Sequence, residues 1–237
     1  MIFVLLSFMA VSASAQTIFD RGDANGDGNV DISDVVLLVN MVLNGGDVHL
    51  TCPDNHHPHL IDLGLPSGTK WACCNVGADT PEAYGGYYAW GETKEKQVYN
   101  WSTYIYCNGS SDTCHDLGSD IAGTQYDVAH VKWGGEWRMP TSAEVLELRN
   151  NTTSEWTSVN GVAGRKYRGS NGGTIFIPAA GYLWHSDFSY VGSMGYYLSS
   201  TLHENYKYSA YCLSFNNYGT DRNRSDRYFG LSVRPVR

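Results

Sequence analysis

The chain of 237 residues has room for one good-sized domain and a small appendage. Hydrophobic residues make up 42% and charged residues 17%, enough apolar material for a sizeable core and a composition that argues against global disorder. With 16 Lys and Arg against 24 Asp and Glu, the net charge is -8, so the basic excess needed to hold nucleic acid or an anionic membrane is missing. Gly at 26 and Tyr at 17 are both high, which suits a loop-rich, β-containing extracellular module better than a cytosolic enzyme.

Residues 1–15, MIFVLLSFMAVSASA, form an apolar run that ends in Ala13-Ser14-Ala15. The small residues flanking the end are those of a cleaved secretory signal peptide, with Gln16 as the expected mature start. The run is short for a spanning helix, which needs roughly twenty apolar residues. No later segment is long and apolar enough to span, so the expected product is secreted or held at the cell surface, with no membrane span after cleavage. Export makes disulfides a reasonable expectation for Cys52, Cys73, Cys74, Cys107, Cys114 and Cys212. Cys107 and Cys114 flank a Gly/Ser/Asp-rich loop and are the first pair to join. Cys212 sits in an apolar alternation and reads as a buried thiol.

Next comes an acidic loop in which Asp23, Asn25, Asp27, Asn29, Asp31 and Asp34 fall at positions 1, 3, 5, 7, 9 and 12, with Gly28 at the turn position. A hard cation takes six to eight oxygens, and alternate residues of a tight loop point inward together, so this spacing predicts a calcium site. Asn29 would contribute its backbone carbonyl. Residues 35–43, VVLLVNMVL, are apolar almost all round and predict a buried helix that stops at Asn44-Gly45-Gly46. Loop and helix together, residues 20–46, resemble one dockerin type I repeat, a module that docks secreted proteins onto cohesin partners. That family carries two repeats and one is found here, so a cohesin-like partner and a calcium-stapled cap both remain open. Residues 47–59, with His56, His57 and His59 after Cys52, read as a polar linker.

From residue 60 to 237, short β-like runs alternate with Gly, Asn, Asp and Ser turns, the pattern of an irregular antiparallel α+β domain. One helix is clear, about Ser142 to Arg149, with Thr141 as N-cap, Glu144 closing a capping box, and Val145, Leu146 and Leu148 as apolar positions. The alternation Tyr211-x-Leu213-x-Phe215 predicts a core strand. Leu231 to Val236, ended by Pro235, reads as an edge strand.

The strings DLGLPSGTKWA, CNVGA, YYAWGE, RMPTSAE, PAAGY, SST and SVRPV occur in that order. They resemble the Fibrobacter succinogenes major paralogous domain, a family of secreted bacterial proteins with a C-type-lectin-like fold. The resemblance implies a binding or structural module at the cell surface. Nine of the tyrosines lie between Tyr182 and Tyr228, interleaved with Asn, Ser, Asp and Arg. Tyr joins a rigid apolar face to a hydroxyl at low entropic cost, so such segments suit recognition of a glycan or protein ligand. The candidate ligand-binding residues are Tyr206, Tyr208, Tyr218, Asp221, Asn223 and Tyr228, while Tyr196, Tyr197 and Tyr211 are assigned to the core. This stretch also resembles the variable region of retroelement-diversified receptor proteins of the C-type-lectin-like class. Formylglycine-generating enzymes share the fold but use a cysteine pair in this region, where only Cys212 stands. Glu92, Glu136 and Glu144 could pair as glycosidase carboxylates but are better explained as strand-end or cap residues. The reading is therefore a non-catalytic binding protein. A structural assembly component docked through the repeat is the alternative, followed by an accessory to carbohydrate-degrading enzymes or a retroelement-diversified receptor protein.

Overall fold

The computed structural model describes residues 60–237 together with Ile32 and Val35. The chain divides into two compact units, residues 1–49 and 50–237. In the first unit Ile32 and Val35 are helical. The signal-like run, the six calcium-loop residues, the rest of the expected helix and the histidine-bearing linker lie outside the described residues.

The described residues of the second unit form antiparallel sheets with two short α-helices. Its elements are β1 (Leu60–Ile61), β2 (Trp71–Ala72), a 3-10 turn at Ser111–Thr113, α1 (Val128–Trp133), α2 (Ser142–Asn151), β3 (Thr152–Val159), β4 (Val162–Gly169), β5 (Thr174–Pro178), β6 (Tyr182–Trp184), β7 (Asp187–Ser189), β8 (Gly195–Leu202), β9 (Ser209–Phe215) and β10 (Thr220–Asp226). They form two three-stranded sheets, β3-β4-β5 and β10-β9-β8, and two small hairpins, β1-β2 and β6-β7. Local chemistry sets several of these boundaries. Between β3 and β4 the two-residue loop is Asn160-Gly161, both at positive φ (49° and 82°), the conformation a type I′ hairpin turn requires. α2 starts at Thr141, whose hydroxyl accepts the Glu144 N–H while the Glu144 carboxylate accepts the Thr141 N–H, the expected capping box. α1 was not legible in the sequence because it has only six residues. It exists because the fully buried Asp127 caps it, accepting the N–H groups of Ala129 and His130 at 2.9 and 3.1 Å.

β9 departs from simple alternation. All seven of its residues are buried, Ala210, Cys212 and Ser214 as well as Tyr211, Leu213 and Phe215, because this central strand has an apolar cluster packed on each face. Leu213 and Phe215 enter one apolar cluster with Tyr197, Tyr167 and Val145, and Cys212 and Ala210 enter another with Leu198, Trp90 and Val233.

The expectation of a C-terminal edge strand is overturned. Leu231, Val233, Arg234 and Val236 are fully buried. The segment is bonded on several sides: Tyr88 and Leu231 exchange backbone bonds, Leu198 N–H donates to Ser232, Val76 N–H to Val233, Ala72 N–H to Pro235, and Arg138 and Val236 exchange bonds. Pro235 fits there because its carbonyl accepts, so its missing N–H leaves no gap in the pairing. A disulfide joins Cys107 to Cys114. The Cys73 and Cys74 sulfurs lie 3.7 Å apart.

Glu144 is the most strongly held carboxylate. Arg138 grips it in a fork at 2.6 and 2.8 Å, and the Thr69 hydroxyl and Thr141 N–H each donate at 2.8 Å. Burial alone would raise its pKa, but these donors outweigh it and bring the pKa from the ordinary 4.5 down to about 2. A carboxyl depressed in the folded state stabilises above its unfolded pKa and loses that contribution as pH falls through the folded one. Denaturant titrations should therefore show wild type losing of order 3 kcal/mol between pH 4.5 and 2 relative to Glu144→Gln, and exceeding the variant by about that much at neutral pH. Parallel pH profiles for the two proteins would contradict this assignment.

Candidate functional site

β8 does not run straight into its pairing with β9. The register is regular from Gly195 to Leu198, breaks, and resumes at Leu202. Such a bulge re-aims side chains, and this one turns Ser199, Ser200 and Thr201 into anchors. Ser199 Oγ donates to the Tyr211 carbonyl at 2.8 Å, and Ser200 N–H donates to the Pro140 carbonyl at 2.8 Å. Thr201 Oγ1 accepts the Ser142 N–H at 3.0 Å and donates to Asp120 Oδ2 at 3.2 Å. The start of α2, the loop carrying Asp120 and the end of β8 are thereby drawn together.

An open cleft of about 490 Å³ lies over this junction. Its charged walls are Asp120, Glu204, Lys207 and Arg222, two acids and two bases, and Tyr211 and His203 supply aromatic surface. The Arg222 guanidinium lies 4.4 Å over the Tyr211 ring, and the Tyr211 hydroxyl donates to the Glu204 carboxylate. That bond raises the Tyr211 pKa and lowers that of Glu204. From Tyr211 the rings continue outward. His203 stacks at 4.8 Å from Tyr211, Tyr206 sits 5.0 Å from His203, and Tyr208 lies 5.7 Å from Tyr206. Arg224 covers the Tyr206 ring at 4.4 Å. The loop bearing these rings is tied to the core by Arg227, which is buried over Trp90 and donates to the Lys207 carbonyl at 3.2 Å and the His115 carbonyl at 3.0 Å.

The six sequence-assigned ligand residues are dispersed. Tyr206, 41% exposed, and the half-buried Tyr208 stand beside the cleft. Tyr218, 90% exposed, is at the far end of the sheet in the β9–β10 turn, which Asn216 closes by accepting the N–H groups of Tyr218 and Gly219. Asp221 is exposed near Arg149, and Asn223 is exposed in the middle of β10. Tyr228 is buried, 8% exposed, in contact with Trp101 and Phe229, so its ring is core-facing, a correction to its grouping with the surface tyrosines. Conversely, Tyr211 is covered by Arg222, Glu204 and His203 and belongs to the cleft wall as well as to the core. Asp120, Thr201, Lys207 and Arg222 were not singled out in the sequence. Lys207 and Arg222 fall in the polar, aromatic stretch from Leu202 to Tyr228, but which of its side chains converge depends on the bulge and the strand register.

The three glutamates considered as catalytic carboxylates have separate partners. Glu92 is bound by Lys96 at 2.8 Å, Glu144 by Arg138, and Glu136 by Arg237 at 2.7 Å. Cys212 is fully buried and its thiol is pushed up to about 12 by that burial, which keeps it protonated. Among the described residues there is no cluster of three or more His, Cys, Asp or Glu that could hold a metal ion, and no helix is long and apolar enough to cross a membrane. No family model, curated protein or solved structure matches the chain.

Proposed function

We propose that the chain is a secreted or cell-surface binding protein without catalytic chemistry of its own. In this reading residues 60–237 are a C-type-lectin-like domain of the Fibrobacter succinogenes major paralogous kind, and residues 20–46 are a dockerin-like calcium module. The observation that carries the binding role is the cleft lined by His203, Glu204, Lys207, Tyr211 and Arg222, continued outward by Tyr206. Its charges balance, its rings are held by neighbouring cations, and it lies at the end of a sheet anchored in the core. Loop-borne polar and aromatic groups on a rigid support are what recognition of a glycan or protein surface needs. The protonated Cys212 and the separately paired glutamates favour binding over turnover.

The domain half of the reading is tested by comparing the full chain with a Tyr206→Ala/Arg222→Ala variant on an array of surface glycans and extracellular-matrix proteins. Retention by the wild type and its loss in a variant of unchanged melting temperature is the expected result. Equal retention would remove the cleft from consideration. For the calcium module, Asp23, Asn25, Asp27, Asp31 and Asp34 supply side-chain oxygens and Asn29 its carbonyl. Calorimetric titration of the full chain with calcium should give saturable heat that Asp23→Ala/Asp27→Ala abolishes, with a calcium-dependent rise in melting temperature. Absence of heat in the wild type would reduce the loop to an acidic turn.

A further inference from the structure

Strand alternation places Asn223 and Ser225 on the opposite face of the β10-β9-β8 sheet from Arg222 and Arg224. On that other face a second groove, of about 340 Å³, runs along the edge strand β10. It is lined by Tyr182, Tyr196, Phe229, Asn223, Arg224, Ser225 and Asp226. We propose that this groove is a separate binding site for a neutral saccharide. It does not depend on the cleft described above.

The wall is aromatic and already packed. Tyr182 and Phe229 stack nearly parallel with ring centres 5.2 Å apart, and Tyr196 meets Tyr182 edge-on at 5.3 Å. A ligand would therefore find flat apolar surface without side-chain ordering to offset. The rim is polar and under-used. Among the described residues, the Tyr182 hydroxyl makes no hydrogen bond and the Tyr196 hydroxyl meets only the Met194 thioether at 3.7 Å. Asn223 uses its Oδ1 to accept the Arg224 N–H, which leaves its amide N–H₂ to donate. The Ser225 hydroxyl, on the same face, makes only a long 3.5 Å bond to the Asp226 carbonyl.

Charge decides between ligand classes. The side chains that β10 turns to this face, Asn223 and Ser225, are neutral, and the lining charges are spent on the other face, Arg224 on the Tyr206 ring and the Ser209 hydroxyl and Asp226 on that same hydroxyl. Neither an anion nor a cation would meet a free opposite charge here. A molecule with apolar C–H faces and hydroxyls that both donate and accept matches the wall and the rim together, which is the description of a pyranose ring.

The groove does not stop at Tyr182. Tyr190, just after β7, lies 5.8 Å from Tyr182 and is 55% exposed. Tyr190 is held at φ 58°, a left-handed conformation that is uncommon for a bulky residue and persists only where the surroundings enforce it. The enforcement is visible at Gly181, also left-handed, where any Cβ would collide with the carbonyl of Ser189 and the backbone of Tyr190. The exposed aromatic surface therefore extends the groove beyond one sugar unit, so an oligosaccharide is the expected occupant.

The test is calorimetric titration of the full chain with cellotriose, xylotriose, mannotriose and maltotriose. It is run on the wild type, on Tyr190→Ala and Asn223→Ala, and on Arg222→Ala as the first-cleft variant, which leaves the Tyr206 ring under Arg224 in place. All three substituted positions are solvent-accessible, so folding is checked simply by melting temperature. The expected result is saturable binding of at least one trisaccharide, weakened about tenfold or more by Tyr190→Ala and by Asn223→Ala and unchanged in the first-cleft variant. Absence of binding for all four sugars would overturn the proposal. So would binding that survives Tyr190→Ala and Asn223→Ala, and loss only in the first-cleft variant would place the sugar in that cleft instead.

Discussion

Everything described in residues 60–237 hangs on two buried polar side chains, Asn75 and Arg234. Both are fully buried, and Arg234 Nε donates to Asn75 Oδ1 at 2.7 Å. Arg234 has no acid among its bonded partners. Its other bonds go to the carbonyls of Ala72, Cys73 and Pro81, so a buried cation is held by neutral oxygens alone. Asn75 completes the junction by donating to the Tyr84 carbonyl at 2.9 Å and the Tyr197 hydroxyl at 3.2 Å, and Tyr197 donates onward to the Pro178 carbonyl at 2.6 Å. A charge in a low-dielectric interior tolerates few geometries. This network consequently specifies how the start of the domain, β5, β8 and the C-terminal segment meet.

The recognition surfaces are consequences of that junction. With the C-terminal segment locked between Tyr88 and β8, the sheet β10-β9-β8 is fixed along one side and leaves β10 as an open edge. Each face of the free edge then carries a depression. The face with Tyr211 and Arg222 is deepened into a cleft by the bulge at Ser199–Thr201. On the other face Tyr182, Tyr196 and Phe229 form the wall of a groove. Arg227 plays a supporting part comparable to that of Arg234, since it is buried against Trp90 and Tyr104 and pins the loop between β8 and β9 through the Lys207 carbonyl. Stiffness near the core and exposure at the edge arise from the same arrangement.

What could be read from sequence followed the range of the interactions involved. The α2 capping box and the Cys107–Cys114 link were legible because their partners lie within a few residues. β9 was legible as a strand through Tyr211, Leu213 and Phe215, but its burial on both faces follows from side chains remote in sequence, Tyr167 and Val145 in one cluster and Trp90 and Val233 in the other. The strings CNVGA and SVRPV, which underlie the resemblance, supply Asn75 and Arg234, and YYAWGE and SST supply Trp90 and Ser199, joined by a 3.1 Å bond. Those strings therefore report on the scaffold more than on a ligand. Burial of Arg234 and Arg227 ran against the expectation that charge lies outside, and Tyr228 was misplaced because its cover, Trp101, is remote in sequence. Pro235 suggested an edge because the N–H that donates to its carbonyl, that of Ala72, comes from the opposite end of the domain.

The central claim is that a rigid C-terminal seam supports a free, adaptable sheet edge. Native-state hydrogen exchange of the full chain tests it residue by residue. The amides of Tyr88, Leu198, Leu231 and Val236 should exchange only through global unfolding, while those of Asn205, Tyr218 and Gly219 should exchange far faster through local opening. Seam amides that exchange as quickly as those of the 203–207 loop and the β9–β10 turn would contradict the account.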